Sequence, residues 1–463
     1  MNMEQHSIDY IPESERYGKP RGLFAVWFGA NLNLTTIVTG AVLIMLGLNL
    51  FWSIIAIILG SLIGAIFVAS HSVQGPKLGI PQMIQSRAQF GVLGAIVPMI
   101  FVMFVYLGFG VANTLLVTQT LSDVTPISSN WIIFLFSLIS IVIAIYGYKL
   151  IHITQKWLSI SAFIVLGIAT VLALRLPFPQ EAWSINHFDV ALFVLGVGMV
   201  TTYMLALAPY VADYSRYLPS NSSSSKVFWY TYLGLSTSTS WMMAIGAILA
   251  VALPSFSDNS GGGLAGLFNG YDTIMYVLII YGLLGINVFN FYGAFMSIVT
   301  TIQPFNKLKV TPLVRIVILG IIMLINIGLS LLGGEGNFIT FFINFIFFMS
   351  YFLIPWTAIN LVDYFILRKG QYSIHDIFDV SGRYGKFNWI TIFAFLASIV
   401  IEVPFINTTL YVGPIANMLD GIDLAWLVGI VSASLLYYFP MKAKLAGRIG
   451  SKGTPQLNNT RGV

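Results

Sequence analysis

The sequence contains no cysteine and very few charged residues. Of its 463 residues, 8% are Asp, Glu, Lys or Arg, and 57% are hydrophobic. The mean hydropathy is +0.86. Because soluble domains carry roughly 25% charged residues, this composition leaves no stretch polar enough for a separate soluble domain. The missing cysteine excludes a disulfide, a thiolate metal site and a thiol nucleophile. The composition therefore indicates a membrane protein.

Long apolar runs, separated by short polar breaks, cover most of the chain. A helix that crosses the bilayer needs about 20 mostly apolar residues, and runs of this kind predict twelve crossings, helices 1 to 12. The runs are continuous and lack the alternating polar face of a membrane strand, which excludes a β-barrel. The predicted helices are Leu23–Leu48, Phe51–Ala69, Leu93–Leu121, Trp131–Tyr146, Trp157–Leu174, Phe188–Tyr210, Val227–Val251, Thr273–Thr301, Leu313–Leu332, Phe338–Leu361, Asn388–Val403 and Leu424–Tyr438.

The basic residues alternate with the crossings. If the first basic segment is cytoplasmic, 21 of the 22 Lys and Arg residues fall on that side, and only Arg175 lies outside. This positive-inside bias predicts a multi-pass protein of the cell (cytoplasmic) membrane with both termini cytoplasmic. Residues 1–21 and 441–463 are the predicted tails, and residues 22–440 are the predicted twelve-helix membrane domain. The basic pI reflects this topology and the anionic inner leaflet, so no nucleic-acid partner is expected.

Helices 1 and 6 are both interrupted by polar or helix-breaking residues. Helix 1 contains the stretch from Gly29 to Thr36, and helix 6 contains Thr201-Thr202-Tyr203 and then Pro209. Backbone groups freed by such breaks must face protein, water or a ligand, because lipid offers no hydrogen-bond partners. Helices five crossings apart run in opposite directions, as an inverted repeat requires. We therefore predict two inverted five-helix repeats in helices 1–10, with the site at the two breaks. Two kinks without a role are the alternative.

Several carboxamides lie inside apolar crossings, namely Asn113 in helix 3 and Asn287 and Asn290 in helix 8. A polar side chain at membrane depth costs free energy unless it meets a partner. An amide carries donors and acceptors, which match the mixed edge of a purine or pyrimidine. Phe289 offers an aromatic face for stacking. These residues are predicted to bind a flat heterocycle, and hydrogen bonding between helices is the alternative for any single Asn.

Few ionisable residues lie near the membrane. Asp213 and Arg216, at the end of helix 6, suggest a structural or gating ion pair, and Glu402 lies near the outer end of helix 11. Gly261-Gly262-Gly263 lacks the Lys of a phosphate loop and is predicted to be a flexible connector. No nucleophile, metal ligand set, paired acids or filter motif is visible at membrane depth. An intramembrane enzyme and a channel are therefore disfavoured, and neither a cofactor nor a bound metal is expected.

The most specific motif lies between helices 2 and 3, and several shorter landmarks accompany it along the chain. They are Gly75-Pro76-Lys77-Leu78-Gly79-Ile80-Pro81-Gln82-Met83, Ser86-Arg87 and Phe90-Gly91 in the motif, and Trp27 to Asn33, Ala112-Asn113-Thr114, Asp213-Tyr214, Tyr217-Leu218-Pro219 and Asp363-Tyr364 elsewhere. The motif resembles the signature loop of the nucleobase–cation symporter family, especially its purine–cytosine permease branch. The resemblance spans nearly the whole chain and implies twelve helices, of which ten form inverted repeats, and import of a nucleobase with a cation.

The resemblance also implies residue roles. In the fungal purine–cytosine permeases, an Asn of helix 3 and an Asn-Asn-Ile-Pro-Asn stretch of helix 8 contact the substrate. Asn113 matches the first. The stretch Ile286 to Asn290 keeps the second and third Asn but loses the leading Asn and the Pro, so the particular nucleobase stays open. The related hydantoin transporter binds sodium partly through two hydroxyl residues just before this position. Gly285 and Ile286 replace them here, which favours a proton over sodium.

The sequence thus predicts a symporter that imports a purine or cytosine-type nucleobase by alternating access. Its expected partners are the nucleobase, a proton or sodium and membrane lipid, with no obligate protein partner. A symporter for another planar heterocycle, such as allantoin, a hydantoin or a vitamin precursor, is the alternative. The predicted substrate contacts are Asn113, Asn287, Phe289, Asn290, Asn31, Tyr203 and Met204. The predicted cation-coupling or gating residues are Asp213, Arg216, Gly29, Asn33 and Pro355.

Overall fold

The computed structural model describes residues 8–146, 148–305, 311–333 and 338–451, with side chains except those of 146–159 and 448–451. The outer parts of both predicted tails, 1–7 and 452–463, lie outside the described residues. The described residues form helices joined by short loops, which confirms the predicted all-α class. Helices 1 and 6 are divided into 1a (Gly22–Ala30), 1b (Leu34–Met45), 6a (Val190–Leu205) and 6b (Ala208–Ser215). The others are helix 2 (Leu50–Ser72), 3 (Ile96–Ser122), 4 (Ser129–Tyr146), 5 (Tyr148–Ala173), 7 (Ser224–Ala252), 8 (Asp272–Ile302), 9 (Pro312–Gly333), 10 (Phe338–Leu361), 11 (Trp389–Glu402) and 12 (Ala425–Ser451).

The number of helices agrees with the predicted number of crossings. Within the described residues, eight helices are long and apolar enough to cross a membrane, and the bent pair 1a–1b forms one more span. Three shorter apolar helices, Ser129–Ile145, Ile160–Ala173 and Trp389–Phe405, bring the total to twelve. We call the bundle end that carries the loops 2–3, 4–5, 6–7, 8–9 and 10–11 the basic face, and the opposite end the acidic face.

Some predicted boundaries differ from the structure. Helix 5 begins at Tyr148 rather than Trp157, and helix 12 runs to Ser451 rather than Tyr438. Hydropathy detects only the part of a helix within hydrocarbon, so polar extensions into the interface escape it. The prediction of a flexible connector at the three glycines was wrong, because they lie in the helix Ser260–Gly266. Its first turn is capped by Asn259, whose Oδ1 accepts the N–H of Gly262 at 2.7 Å.

Helices 1–10 pack as expected if helices 1–5 and helices 6–10 are two equivalent repeats. Each helix contact then has a counterpart in which both helices are replaced by their partners five positions away. Helix 1 packs on helix 7 and, correspondingly, helix 6 packs on helix 2. Helix 3 packs on helices 9 and 10, as helix 8 packs on helices 4 and 5. The pairs 2–7, 3–8 and 4–9, in which each helix is the repeat partner of the other, are also in contact. Since partners are five crossings apart, the two repeats have opposite orientations in the membrane.

Glycines bring the repeat-related pairs 1–7 and 6–2 close together. A side-chain carbon at Gly246 of helix 7 would collide with the carbonyl oxygen of Ile37, and one at Gly40 would collide with the backbone of Met243. In the second pair, Gly60 and Gly64 of helix 2 leave similar space for helix 6a. Small residues at such contacts let membrane helices gain van der Waals contact that lipid cannot replace.

The signature loop is folded as two short helices at the basic face, Gln74–Leu78 and Gln82–Phe90, which pack on helix 6b. The N-terminal segment covers this loop. Arg16 donates from Nη1 to the carbonyl of Pro76 at 2.7 Å, and its guanidinium occupies the space that a side chain at Gly79 would fill. Residues 8–21 of the predicted tail are therefore part of the folded bundle.

The close approach of helices 1b and 7 gives a stability prediction. Gly246→Ala should lower the midpoint of thermal unfolding in detergent, with a loss of about 1–3 kcal/mol, because the added methyl group overpacks a backbone contact. Gly328→Ala in helix 9 is the matched control, since nothing lies within 4 Å of that position. Equal midpoints for the two variants would contradict this packing.

Candidate functional site

The break in helix 1 is held by one asparagine. Half-helices 1a and 1b are bent by 59°. Asn33 is the N-cap of 1b, where its Oδ1 accepts the N–H of Thr36 at 3.1 Å, and its Nδ2 donates to the carbonyl of Ala30 at 2.9 Å. One side chain thus satisfies both ends of the break. The carbonyl of Gly29 accepts the N–H of Leu32 at 3.2 Å. Asn33 and Gly29 therefore both form hydrogen bonds that hold the break together.

Asn31 and Met204, both predicted to contact substrate, point toward helix 7. The Nδ2 of Asn31 donates to the hydroxyl oxygens of Ser238 at 3.0 Å and Thr239 at 2.9 Å. The same Thr239 hydroxyl donates to the Met204 sulfur at 2.9 Å. The sequence shows that these residues lie at the interrupted helices but does not show the direction of their side chains.

The interruption of helix 6 lies two residues beyond the predicted position. Tyr203 and Met204 are inside helix 6a, and the chain changes helix at Ala206-Leu207. Both of these residues keep right-handed helical dihedral angles, so the two halves are bent by less than the 59° of helix 1. Helix 6 is therefore divided, as predicted, but its break is milder than that of helix 1. Pro209 lies in the first turn of 6b, where a missing N–H costs little.

Asn113 lies beside the break. Its Oδ1 accepts the hydroxyl of Thr35 at 2.6 Å, while its Nδ2 has no hydrogen-bond partner among the described residues, although the side chain is fully buried. The hydroxyl of Tyr203 is 2.7 Å from that of Thr36. The ring of Phe109 meets the Tyr203 ring edge-on at 5.9 Å. Asn113 and Tyr203 thus bond to adjacent residues of helix 1b, and Phe109, one turn before Asn113 on helix 3, contacts the Tyr203 ring.

Asn287 and Asn290 point in different directions from helix 8. The Nδ2 of Asn287 donates to Ser140 of helix 4 at 3.3 Å, and its Oδ1 faces Gly110 of helix 3 and has no partner in the described part of the chain. Asn290 is 5% exposed, and its Nδ2 has no partner among the described residues. The structure therefore groups Asn290 with the free donors and directs Asn287 into the contact of helices 3, 4 and 8.

Asn326 of helix 9 was missed in the sequence. Its Nδ2 donates to Thr114 at 3.0 Å and to Ser137 at 3.1 Å, and its Oδ1 faces Gly110 and meets no donor within the residues that the structure describes. An asparagine within an apolar run was the available signal, the same one that identified Asn287. The two amides meet beside Gly110, where a side chain would fill the space between them and helix 3.

Phe289 belongs to an aromatic cluster on the basic side of the break. Its ring lies 6.2 Å from Tyr214 of helix 6b, which meets Trp27 of helix 1a at 5.3 Å. Tyr210 stacks on Trp27 at 6.4 Å and on Tyr106 of helix 3 at 5.6 Å. These five residues, the aromatic cluster, join the halves 1a and 6b to helices 3 and 8.

The remaining predicted residues lie near the basic face or in helix 10. The carboxylate of Asp213 accepts the N–H of Gln82 in the signature loop at 2.8 Å. Arg216 donates from Nε to the backbone carbonyl of Asp213 at 3.3 Å and from Nη1 to the carbonyl of Asp9 at 3.3 Å. Pro355 is buried inside helix 10. Asp213 and Arg216 thus connect helix 6b with the signature loop and the N-terminal segment.

A cavity adjoins the break on its acidic side. Its volume is about 40 Å³. This is large enough for a water molecule but far below the roughly 300 Å³ of small ligand pockets. The residues that line it come from the break, from helix 5, from the short helix Ser260–Gly266 and from the acidic half of helix 8, and they include Asn33, Leu34, Val165, Leu264, Met275 and Ile279.

The capping role of Asn33 gives a second prediction. Asn33→Ala should destabilise the protein by about 0.5–2 kcal/mol, because it removes the cap of helix 1b. The measurement is thermal unfolding in detergent. Asn33→Ser keeps a capping oxygen and should lose much less. A serine variant that unfolds with the alanine variant would show that capping is not the role of this side chain.

Comparison with known proteins shows which family the chain is similar to. The family profile described as permease for cytosine/purines, uracil, thiamine, allantoin matches residues 10–429. The chain is 54% identical to a Bacillus subtilis protein named "Putative purine-cytosine permease YxlA", over 97% of this chain and 98% of that protein. It is 27% identical to the purine-cytosine permease FCY21 of Saccharomyces cerevisiae, over 82% of this chain and 74% of the relative.

A solved structure has a similar fold. Mhp1, a nucleobase-cation-symport-1 family transporter solved in a closed conformation with bromovinylhydantoin bound, superposes with a TM-score of 0.76 at 17% sequence identity. The match covers 96% of this chain and 97% of Mhp1. At this identity the similarity shows the fold. The fold agrees with the corresponding helix contacts of the two repeats described above.

Proposed function

The chain belongs to the family of permeases for cytosine and purines, uracil, thiamine and allantoin, and we propose that it imports a purine or cytosine-type nucleobase. It is a multi-pass membrane transporter and not an enzyme, since its relatives are permeases. The proposed mechanism is cation symport by alternating access. The observation that carries the proposal is a pair of buried amide donors without partners in the described part of the chain, on Asn113 of helix 3, beside the break in helix 1, and on Asn290 of helix 8, which packs on helix 3.

Unpaired donors support a polar ligand. Leaving a buried donor without a partner costs about 1–3 kcal/mol, and both amides lie on helices 3 and 8, which pack against each other. Ring nitrogens and carbonyl oxygens of purines and of cytosine are acceptors that fit these donors. Tyr203 and Phe109 would flank the flat ring. We assign Asn287, together with Asn326, to positioning helix 8, because its amide is directed into the contact with helices 3 and 4.

The names of the relatives support a purine or cytosine-type nucleobase as the substrate. YxlA and FCY21 carry purine-cytosine permease names, and the first covers almost the whole chain. The family description also includes uracil, thiamine and allantoin, so another planar heterocycle remains the second candidate. Competition among adenine, guanine, hypoxanthine, cytosine, uracil and allantoin for uptake in a transport-deficient host separates the two.

Alternating access would use the parts on either side of the break. The aromatic cluster joins halves 1a and 6b on the basic side, and the small cavity lies on the acidic side. Movement of 1a and 6b would separate Tyr210 from helix 3 and Tyr214 from helix 8 and open the basic side. Pro355, which interrupts the hydrogen bonds of helix 10, would let that helix bend. Asp213 and Arg216 would hold the basic side closed through the signature loop.

A proton is the proposed coupling ion. Gly285 and Ile286 lie inside the continuous helix 8 and offer no side-chain oxygen for sodium. Sodium prefers several oxygen ligands, whereas a proton needs a single titratable group.

The free donor on Asn113 leads to a binding prediction. Asn113→Ala should raise the apparent Kd for the transported base at least about tenfold, because an acceptor of the base would be buried without a donor. Binding of radiolabelled adenine, hypoxanthine and cytosine to purified protein is the measurement. Thr35→Val, which removes the partner of Oδ1 and leaves Nδ2 in place, should have a smaller effect.

Asn344→Ala is the matched control, since this asparagine lies in helix 10 and its Oδ1 accepts the hydroxyl of Thr409. Its affinity should equal that of the unmodified protein. Unchanged affinity in Asn113→Ala, with the protein inserted and folded, would remove Asn113 from the site.

We place the protein in the cell membrane with the basic face toward the cytoplasm, because 21 of 22 basic residues lie on that side of the predicted topology. Alkaline phosphatase fused after Asp258, on the acidic face, should be active, as this enzyme works only outside the cytoplasm. Fusion after Lys226, on the basic face, should be inactive. The reverse pattern would invert the orientation.

A further inference from the structure

Helix 11 ends with an acid that has no partner. Glu402 has no exposed surface, and neither of its carboxyl oxygens has a hydrogen-bond partner among the described residues. The aromatic cluster and the amides of helices 3 and 8 do not include it, because it lies outside the ten helices of the two repeats.

Helices 10 and 12 enclose the Glu402 carboxyl. A side chain at Gly429 of helix 12 would collide with Oε1 of Glu402, and the same position is 3.2 Å from Cγ2 of Ile354 in helix 10. Gly429 is therefore the residue that makes room for the carboxyl. The hydroxyl of Tyr351, also on helix 10, is buried nearby and likewise has no partner in the described part of the chain.

The titratable groups that face Glu402 carry no positive charge. They are Tyr351 from helix 10 and Asp423 from the loop before helix 12. Asp423 accepts the N–H groups of Asn407 at 2.8 Å and Ala425 at 2.9 Å. Burial raises the pKa of Asp423 to about 6, and these two N–H groups act against that rise. Asp423 lies toward the acidic face and is 5% exposed.

Such surroundings favour the neutral form of the Glu402 side chain. An ionised carboxylate that is buried without a cation or a donor costs several kcal/mol. A neutral carboxyl avoids most of this cost, and its O–H can donate to a nearby acceptor. Ionisable residues within the membrane are typical of proton pathways in transporters. Packing as seen here therefore requires that Glu402 keeps its proton.

Helix 10 is weakest opposite this carboxyl. Pro355 follows Tyr351 by four residues and has no N–H, so the Tyr351 carbonyl lacks its helical donor. A bend at Pro355 would move Tyr351 and Ile354 away from helices 11 and 12. Water could then reach the carboxyl and stabilise its charged form.

We propose that Glu402 is the proton-binding residue of this transporter, neutral while helices 10, 11 and 12 are packed together and ionised when helix 10 bends away. The neutral carboxyl releases its proton to water and becomes a carboxylate, and it is neutralised again by a proton that enters from the acidic face past Asp423. This inference rests on the proposed function, since it names the group that binds the coupled cation.

The test is Glu402→Gln in proteoliposomes. Exchange of radiolabelled adenine, hypoxanthine or cytosine across the membrane without any gradient should persist, because the amide mimics the neutral carboxyl. Accumulation driven by a proton gradient should fall to equilibration, and the proton influx that a pH-sensitive dye reports on substrate addition should disappear. Asp272→Asn, at the exposed acidic-face end of helix 8, should behave as the unmodified protein.

Accumulation by Glu402→Gln with an unchanged response to the proton gradient would overturn the proposal, as would accumulation by the unmodified protein that needs sodium alone. If the unmodified protein exchanges none of the three bases, the proposed function fails instead.

Infrared difference spectra give a readout independent of transport. The unmodified protein should show the carbonyl band of a neutral carboxyl at neutral pH, and Glu402→Asp, which keeps a carboxyl if Glu402→Gln does not fold, should shift it. An unshifted band would assign the neutral carboxyl elsewhere.

Discussion

Lipid provides no hydrogen-bond partner, and the arrangement of this bundle depends on that constraint. Every polar group at membrane depth must be satisfied by the protein, by water or by a ligand. At the break in helix 1, Asn33 satisfies both half-helices and Asn31 bonds to helix 7. The amides of Asn113 and Asn290 keep free donors under the same constraint. Satisfied amides hold the scaffold together, and unsatisfied ones are the natural place for a ligand.

The same constraint explains which parts of the fold could be predicted. Crossing number and direction follow from the length of the hydrocarbon layer and from the loop charges, so the twelve helices were visible in the sequence. The break in helix 1 was visible as a polar stretch in an apolar run. Helix 6 was harder, because polar residues inside a helix need not break it. Thr201 donates to the carbonyl of Gly60, and Tyr203 bonds to Thr36, so both are satisfied within an intact turn.

Side-chain direction was the part that the sequence could not give. Asn287 and Asn290 are three residues apart, so their side chains differ by about 60° around the helix axis. This angle is enough to send Asn287 toward Ser140 in helix 4 while Asn290 keeps a free donor. Only the neighbouring helices decide which of the two faces a cavity, and their positions depend on contacts far apart in the chain. Asn326 shows the converse case, since its role depends on meeting Asn287 beside Gly110.

Symport requires that substrate and cation bias the same moving element. Helix 10 is in a position to be that element. On one side its Phe345 meets Phe109 edge-on at 5.2 Å, and Phe109 in turn contacts Tyr203 at the proposed substrate site. On another side its Tyr351 and Ile354 lie against Glu402 and Gly429. A base that displaced Phe109 and a proton that left Glu402 would both act on the part of helix 10 that precedes Pro355. Ring contacts and one buried carboxyl would thus couple the two proposed sites, which share no residue.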